Sequence, residues 1–217
     1  MAAVTRLKLT GRSRALALLA VCAGVAASAQ EAARVYPLTL TTGSRLVIEA
    51  KINGRPVSAL LDSAAEATFL DRGFAHALGL KGGEAVAGQG SGQAAFETTL
   101  VSGVTLEAVG LSLTDQTVGV TDLGDVGRRL LGHPIDVILG REIFDAARLA
   151  IDIDGHSIAV VTRAHDPRGV RLELVTEHGI ETLPASVPGS APVRATFDLG
   201  NGSQVLISRA LAERLKL

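Results

Sequence analysis

Beyond its first thirty residues, the chain runs in short apolar bursts with a polar residue at nearly every second position, interrupted by Gly, Asn and Asp. A period of two is the mark of half-buried strands, and the interruptions mark turns. Val35 to Leu40 and Arg45 to Ile52 read as strands. Asn53-Gly54 is a hairpin turn, because both residues tolerate positive φ, and Arg55 to Leu61 is the return strand. Asp71 to Leu78 reads as a short helix with Asp71 as N-cap and Gly79 at its end. Glu84 to Ala87 and Ala94 to Val104 form the arms of a hairpin, with Gly88-Gln89-Gly90-Ser91-Gly92 at its tip. Leu111 to Val120 adds strand. Ile135 to Gly140 is a buried-type strand stopped by glycine, followed by a helical turn through Phe144. Leu149 to Asp152 and Ser157 to Val161 flank the Asp154-Gly155 turn. Arg163 to Gly169 reads as a linker, and strands resume near Val170. The fold class expected is all-β.

The opening residues break this pattern. Arg6, Lys8, Arg12 and Arg14 precede an apolar stretch from Ala15 to Val25, and Ala27-Ser28-Ala29 forms an A-x-A site. This is the layout of a secretory signal over residues 1–29, with the mature chain starting at Gln30. The apolar stretch is short for a membrane span. Export to a bacterial periplasm or to the medium is the localisation expected. Cys22 is the only cysteine and lies inside the signal, so the mature chain has none for a disulfide.

One pattern occurs twice. Pro56, Val57, Ala59, Asp62 and Leu70 recur 136 positions later as Pro192, Val193, Ala195, Asp198 and Leu206. Such spacing indicates a duplicated lobe rather than a solenoid. Residues 30–163 form the first lobe and residues 164–217 begin the second. The residues from Lys81 to Val161 have no second copy. The expectation is therefore a truncated sequence, or a second lobe completed by a partner, since half a lobe exposes open edges.

Each copy delivers one aspartate into a turn of small residues, Leu60-Leu-Asp-Ser-Ala-Ala65 and Phe197-Asp-Leu-Gly-Asn201. Two carboxylates facing each other cannot both ionise cheaply, so they share a proton. The ionised one takes a proton from water and the other donates to a carbonyl. The first turn resembles the hydrophobic-Asp-Thr/Ser-Gly motif of retropepsin-like and pepsin-like aspartic peptidases, and the second resembles its repeat. Val137-Ile-Leu-Gly140 is similar to that family's hydrophobic-hydrophobic-Gly strand, and Gly88 to Gly92 fall where the family has its flap. The resemblance implies a duplicated acid-protease β-barrel lobe and an extended peptide or protein substrate. It also implies Asp62 and Asp198 as the acid/base pair, supported by Ser63, Ala64, Ala65, Leu199, Gly200 and Asn201, with no cofactor or metal.

The chain departs from the motif twice. Ala64 stands where the family has Gly, which crowds a close backbone approach and penalises positive φ. Leu199 stands where it has Thr or Ser, which is expected to leave Ser63 without a reciprocal partner across the lobes. These departures keep open a non-catalytic peptide-binding module of the same fold. A homodimer pairing Asp62 with its own copy is a further alternative.

Composition narrows the rest. Apolar residues make up 47% and aromatics 3%, so the core is aliphatic, and the formal charge of −1 gives no basic surplus for nucleic acid. No membrane association is expected after signal cleavage. The glycine cluster at Gly88 lacks the following Lys-Ser/Thr of a phosphate loop. His76, His133, His156, His165 and His178 are scattered without ligand spacing. Ser63, Ser91 and Ser203 lack a nucleophile elbow. Asp152 and Asp154 belong to a hairpin turn.

Overall fold

The structure is a computed structural model that describes residues 34–41, 43–89, 95–162, 169–177, 179–202 and 204–217. The expected signal segment and most of the expected linker lie outside those residues. β1 (Val35–Pro37) and β2 (Thr39–Leu40) are separate strands, not the single Val35–Leu40 strand expected from alternation. Leu38 between them is buried and its N–H donates to His156 O at 3.0 Å. The chain changes sheet at that point, which local alternation does not encode.

β3 (Leu46–Ile52) buries Leu46, Ile48, Ala50 and Ile52 in strict alternation. Asn53 and Gly54 take φ of 48° and 77° and return the chain into β4 (Arg55–Leu61). There follow β5 (Phe69–Asp71), α1 (Arg72–Ala77), β6 (Glu84–Gln89), β7 (Ala95–Ala108) and β8 (Leu111–Thr121). α2 (Gly124–Leu131), β9 (Val137–Leu139), α3 (Glu142–Ala146), β10 (Leu149–Asp152) and β11 (Ser157–Val160) complete this part. Neither β5 nor α2 was expected. Asp71 caps α1 as expected, accepting from Gly73 N at 2.8 Å. Its other oxygen accepts from Leu123 N at 3.1 Å, at the start of α2.

Six strands close on themselves in the order β3-β4-β9-β5-β8-β7, with β7 returning to β3 through pairs such as Ile52↔Leu106. Closure leaves these strands no open edge among themselves. β9 runs parallel to β4, and β5 runs parallel to β8. The interior holds fully buried Ile52, Leu61, Leu70, Leu106, Leu139 and Ile143. Burying each such side chain contributes roughly 1.5–3 kcal/mol. β6 extends the sheet beyond the barrel as the outer arm on β7. The β7–β8 pairing shifts register around Val104, where Gly103 takes φ of 80°. β1, β11 and β10 form a small separate sheet.

The later residues form a three-stranded antiparallel sheet of β12 (Val175–Glu177), β13 (Ile180–Ala185) and β14 (Val193–Thr196), then α4 (Arg209–Leu215). Strand structure resumes at Val175, not near Val170; Val170 and Leu172 are exposed and unpaired in any strand. α1 and α4 both start from a side-chain cap: Asp71 accepts from Gly73 N, and Ser208 accepts from Leu211 N at 3.2 Å.

Candidate active site

β4 ends inside the barrel at Leu61, and the next N–H, of Asp62, donates to Leu139 O at 2.9 Å. That bond anchors the first turn on β9. The Asp62 carboxylate folds back onto its own turn, with Oδ1 accepting from Ala64 N at 2.9 Å and Ala65 N at 3.0 Å. Beneath it, Gly140 N donates to the Thr68 hydroxyl at 3.1 Å, and Thr68 is bonded through both N and Oγ1 to Glu142. A Cβ on Gly140 would lie 2.5 Å from Ala67 C and O, so the strand fits under the loop only as glycine.

The second turn is carried by β14. Phe197 N donates to Glu181 O of β13 at 2.8 Å, and Asp198 Oδ1 accepts from Asn201 N at 3.0 Å. Ser63 ties the two turns together. Its hydroxyl donates to Phe197 O at 3.0 Å and accepts from Leu199 N at 3.0 Å. Backbone groups of the second turn thus fill both hydrogen-bonding roles of the Ser63 hydroxyl, and the hydroxyl that would reciprocate is the one missing at Leu199. Leu199 packs against the main core instead of offering a hydroxyl.

The reading of Ala64 changes. It is absent from the positive-φ residues, so its methyl group carries no such penalty. The glycine under steric demand is Gly200, where a Cβ would fall 2.4 Å from Asp62 Cγ. Asp62, Ser63, Ala64, Ala65, Asp198, Leu199, Gly200 and Asn201 are thus brought together at one place.

The charge of Asp198 bears on the Asp62 carboxyl. Asp62 is pushed up to about 6, first by burial, then by the negative charge of Asp198. A side-chain hydrogen bond with Asp198 raises it further, while the N–H groups of Ala64 and Ala65 pull the other way. Two carboxyls that bear on each other's ionisation can divide the roles of acid and base between them.

A cleft of about 1620 Å³ opens over the pair. Its wall includes Phe69 and Phe96, packed edge to face with centroids 5.9 Å apart. Both rings need glycine opposite them: a Cβ on Gly88 would meet Phe96 at 2.4 Å, and one on Gly119 would meet Phe69 at 2.6 Å. Gly88 and Gln89 belong to β6, paired with Phe96 and Ala95, so the strand runs further than expected and the tip begins later. Gly90, Ser91 and Gly92 lie outside the described residues. From the later sheet come Ile180, Val193 and Ala195, with Val205 and Leu206 beyond them. The sequence reading missed Phe69, Phe96 and the α2 residues Val126 and Arg129 of this wall. The pairing of scarce aromatics with strand glycines was the available signal for the first two.

Among the described residues there is no group of three or more potential metal ligands, and no helix long and apolar enough to cross a membrane.

Residues 48–143 match a family model described as aspartyl protease. The matched segment contains the Asp62 turn, the β6–β7 hairpin and the Ile-Leu-Gly strand, and it ends before Asp198. No curated protein matches the chain. Among solved structures, a retropepsin-like aspartic protease from Rickettsia conorii is similar at 13% identity and a TM-score of 0.44, covering 59% of this chain and 89% of that one.

Proposed function

We propose, from the membership of residues 48–143 in the aspartyl protease family and from the meeting of Asp62 with Asp198, that this chain is an aspartic-type endopeptidase with both catalytic aspartates on one polypeptide. Asp62, with its raised pKa, carries the shared proton and donates it to the scissile carbonyl. Asp198 takes a proton from the attacking water. No covalent intermediate is required. The observation that carries this reading is the Ser63 hydroxyl bonded to both Phe197 O and Leu199 N, because it sets the second turn against the first.

The substrate is an extended peptide lying along the cleft, held partly through strand-like backbone hydrogen bonds. The Phe69–Phe96 wall favours an apolar side chain near the cleavage point. Residues 30–163 act as the first lobe and residues 164–217 contribute the second aspartate. The protein is exported; the basic, apolar and A-x-A order of residues 1–29 supports this.

Cleavage of a peptide library at mildly acidic pH, followed by mass spectrometry, tests the assignment. Asp62→Asn and Asp198→Asn should each lower kcat/KM by about 10²–10⁴-fold, the usual range for losing a general acid or base. Full activity in Asp198→Asn would sink the intramolecular pair in favour of a homodimer using two copies of Asp62. Binding of peptides without cleavage by the unaltered chain would favour the peptide-binding module.

A further inference from the structure

The β7–β8 ladder has a second face. On the cleft side, the Thr98 hydroxyl and Gly119 lie together beside the Phe69 ring. Strand alternation turns their neighbours Thr99, Val101 and Val120 the other way, with Thr99 directly opposite Val120. These three line a smaller cavity of about 210 Å³. Its floor is apolar, because Val101, Val120 and Leu80 all belong to the main core cluster or pack against it. Thr99 supplies one hydroxyl.

The rim of this cavity is cationic. Arg72 and His76 stand four residues apart on α1 and so share a face. Lys81 joins them through the turn that ends the helix. Gly79 N donates to His76 O at 2.9 Å and Leu80 N to Ala75 O at 3.1 Å. The last carbonyls of α1 are thereby occupied and do not confront an anion at the rim. Gly82 and Gly83 then take φ of 75° and 113°, and a Cβ on Gly83 would lie 2.3 Å from Leu100 O. The loop rests on β7 only as glycine, and its one charged side chain, Lys81, lines the cavity. No carboxylate lines it. Asp71, beside Arg72 in sequence, is committed elsewhere through both oxygens, to Gly73 N and Leu123 N. Among the described residues, the side chains of Arg72, His76 and Lys81 have no hydrogen bond or ion pair.

Such a cavity is small beside the sites of drug-sized ligands, which run from about 300 Å³ upward. It has room for one side chain. Cations above an apolar floor select an anion that carries an apolar group, not bare phosphate. The planar fork of Arg72 matches the two oxygens of a carboxylate, and Lys81 adds a point charge.

We propose that this cavity binds a carboxylate borne on a single apolar group, whether the C-terminal residue of a peptide or a short branched acid. The site lies across the ladder from the Asp62–Asp198 cleft and does not depend on the peptidase reading. Peptide hydrolysis releases one new C-terminal carboxylate for each bond cut, so products of the proposed reaction carry the group this site takes.

The test is a titration of the ¹⁵N-labelled full chain, followed through its amide NMR signals at constant ionic strength. The probes are N-acetyl-leucine, isovalerate, N-acetyl-leucinamide and inorganic phosphate. N-acetyl-leucine or isovalerate should shift the amides of Ala75 to Gly82 and of Thr99 to Val101 in a saturable way. N-acetyl-leucinamide, which lacks the charge, and phosphate, which lacks the apolar group, should leave them in place. Tighter binding of N-acetyl-leucine assigns the site to peptide ends, and tighter binding of isovalerate assigns it to free acids; either supports the proposal. Arg72→Gln combined with Lys81→Gln should weaken binding by about tenfold, as for two exposed charge contacts. Both positions are exposed, so the fold should be kept, and unchanged amide signals elsewhere verify it. The proposal is overturned if neither acid gives a saturable shift, if the amide or phosphate shifts the same signals equally, or if the double variant binds undiminished. The titration involves no cleavage, so a missing peptidase activity counts against the enzyme reading and not against this site.

Discussion

The two aspartate turns share a local design and differ in what surrounds them. Asp62 stands at the end of a barrel strand, receives two N–H bonds and rests on a glycine-ended strand tied down by Thr68 and Glu142. Asp198 receives one N–H bond and leaves a three-stranded sheet in which β14 pairs on one side only. Beyond the first turn, Phe69–Asp71 forms β5 between β9 and β8. Beyond the second, Val205-Leu206-Ile207 forms no strand, and Val205 is 92% exposed. The apolar run is repeated, yet without flanking strands it does not become a strand. A turn is specified by a few residues, whereas strands need partners from elsewhere in the chain.

Breaking the support under one turn, compared with breaking the contact between turns, sharpens this contrast. Gly140→Ala drives a methyl group into the backbone of Ala67 and Thr68 and should cost about 3 kcal/mol, the upper range for overpacking, as read by denaturant unfolding. Gly200→Ala first meets the Asp62 carboxylate. It should spare stability while lowering kcat/KM by about a hundredfold. Equal stability losses would show that the two glycines serve the same purpose.

The next effect in size is linked to pH. Asp62 has a folded-state pKa of about 6 against an ordinary 3.8, so the folded chain binds more protons than the unfolded chain between those values. Stability should therefore fall as pH rises from about 4 to about 6, by roughly 2–3 kcal/mol. Asp62→Asn should flatten that slope in chemical denaturation series. Cleavage should decline over the upper part of the same window, as the proton shared by the pair is lost. A slope that persists in Asp62→Asn would place the titrating group elsewhere.

The smallest expected effect belongs to Leu199→Thr, which supplies the hydroxyl missing from the second turn. Ser63 already holds that turn through two backbone bonds, so stability should change by about 1 kcal/mol. An increase in cleavage above about tenfold would show that the absent hydroxyl, rather than the thinner surroundings, limits the second copy.

Much of the fold was legible because its strands carry their own punctuation. Arg55–Leu61 follows Asn53-Gly54, and Leu149–Asp152 precedes the Asp154-Gly155 turn; both strands have the expected bounds. α2 escaped notice because its N-cap, Leu123, offers no side-chain hydrogen bond. β5 has three residues and depends on β8 and β9, which lie far along the chain. Both aspartates were found from their repeat. The close approach of Gly200 to Asp62 and the backbone bonds of Ser63 were not foreseen, because they depend on how the second turn lies against the first.

The register shift in β7 has a mechanical meaning. One strand serves both as a stave of the barrel, from Thr99 to Ala108, and as an arm paired only with β6 beside the cleft, from Ala95 to Thr98. Within the stave, Gly103 interrupts the ladder with a left-handed backbone and no side chain in the way. The arm is not cut off from the ring by that interruption, because Thr99, Leu100 and Val101 before it already pair with β8. The wall of the cleft and the floor that carries Asp62 are thus braced by the same barrel strand.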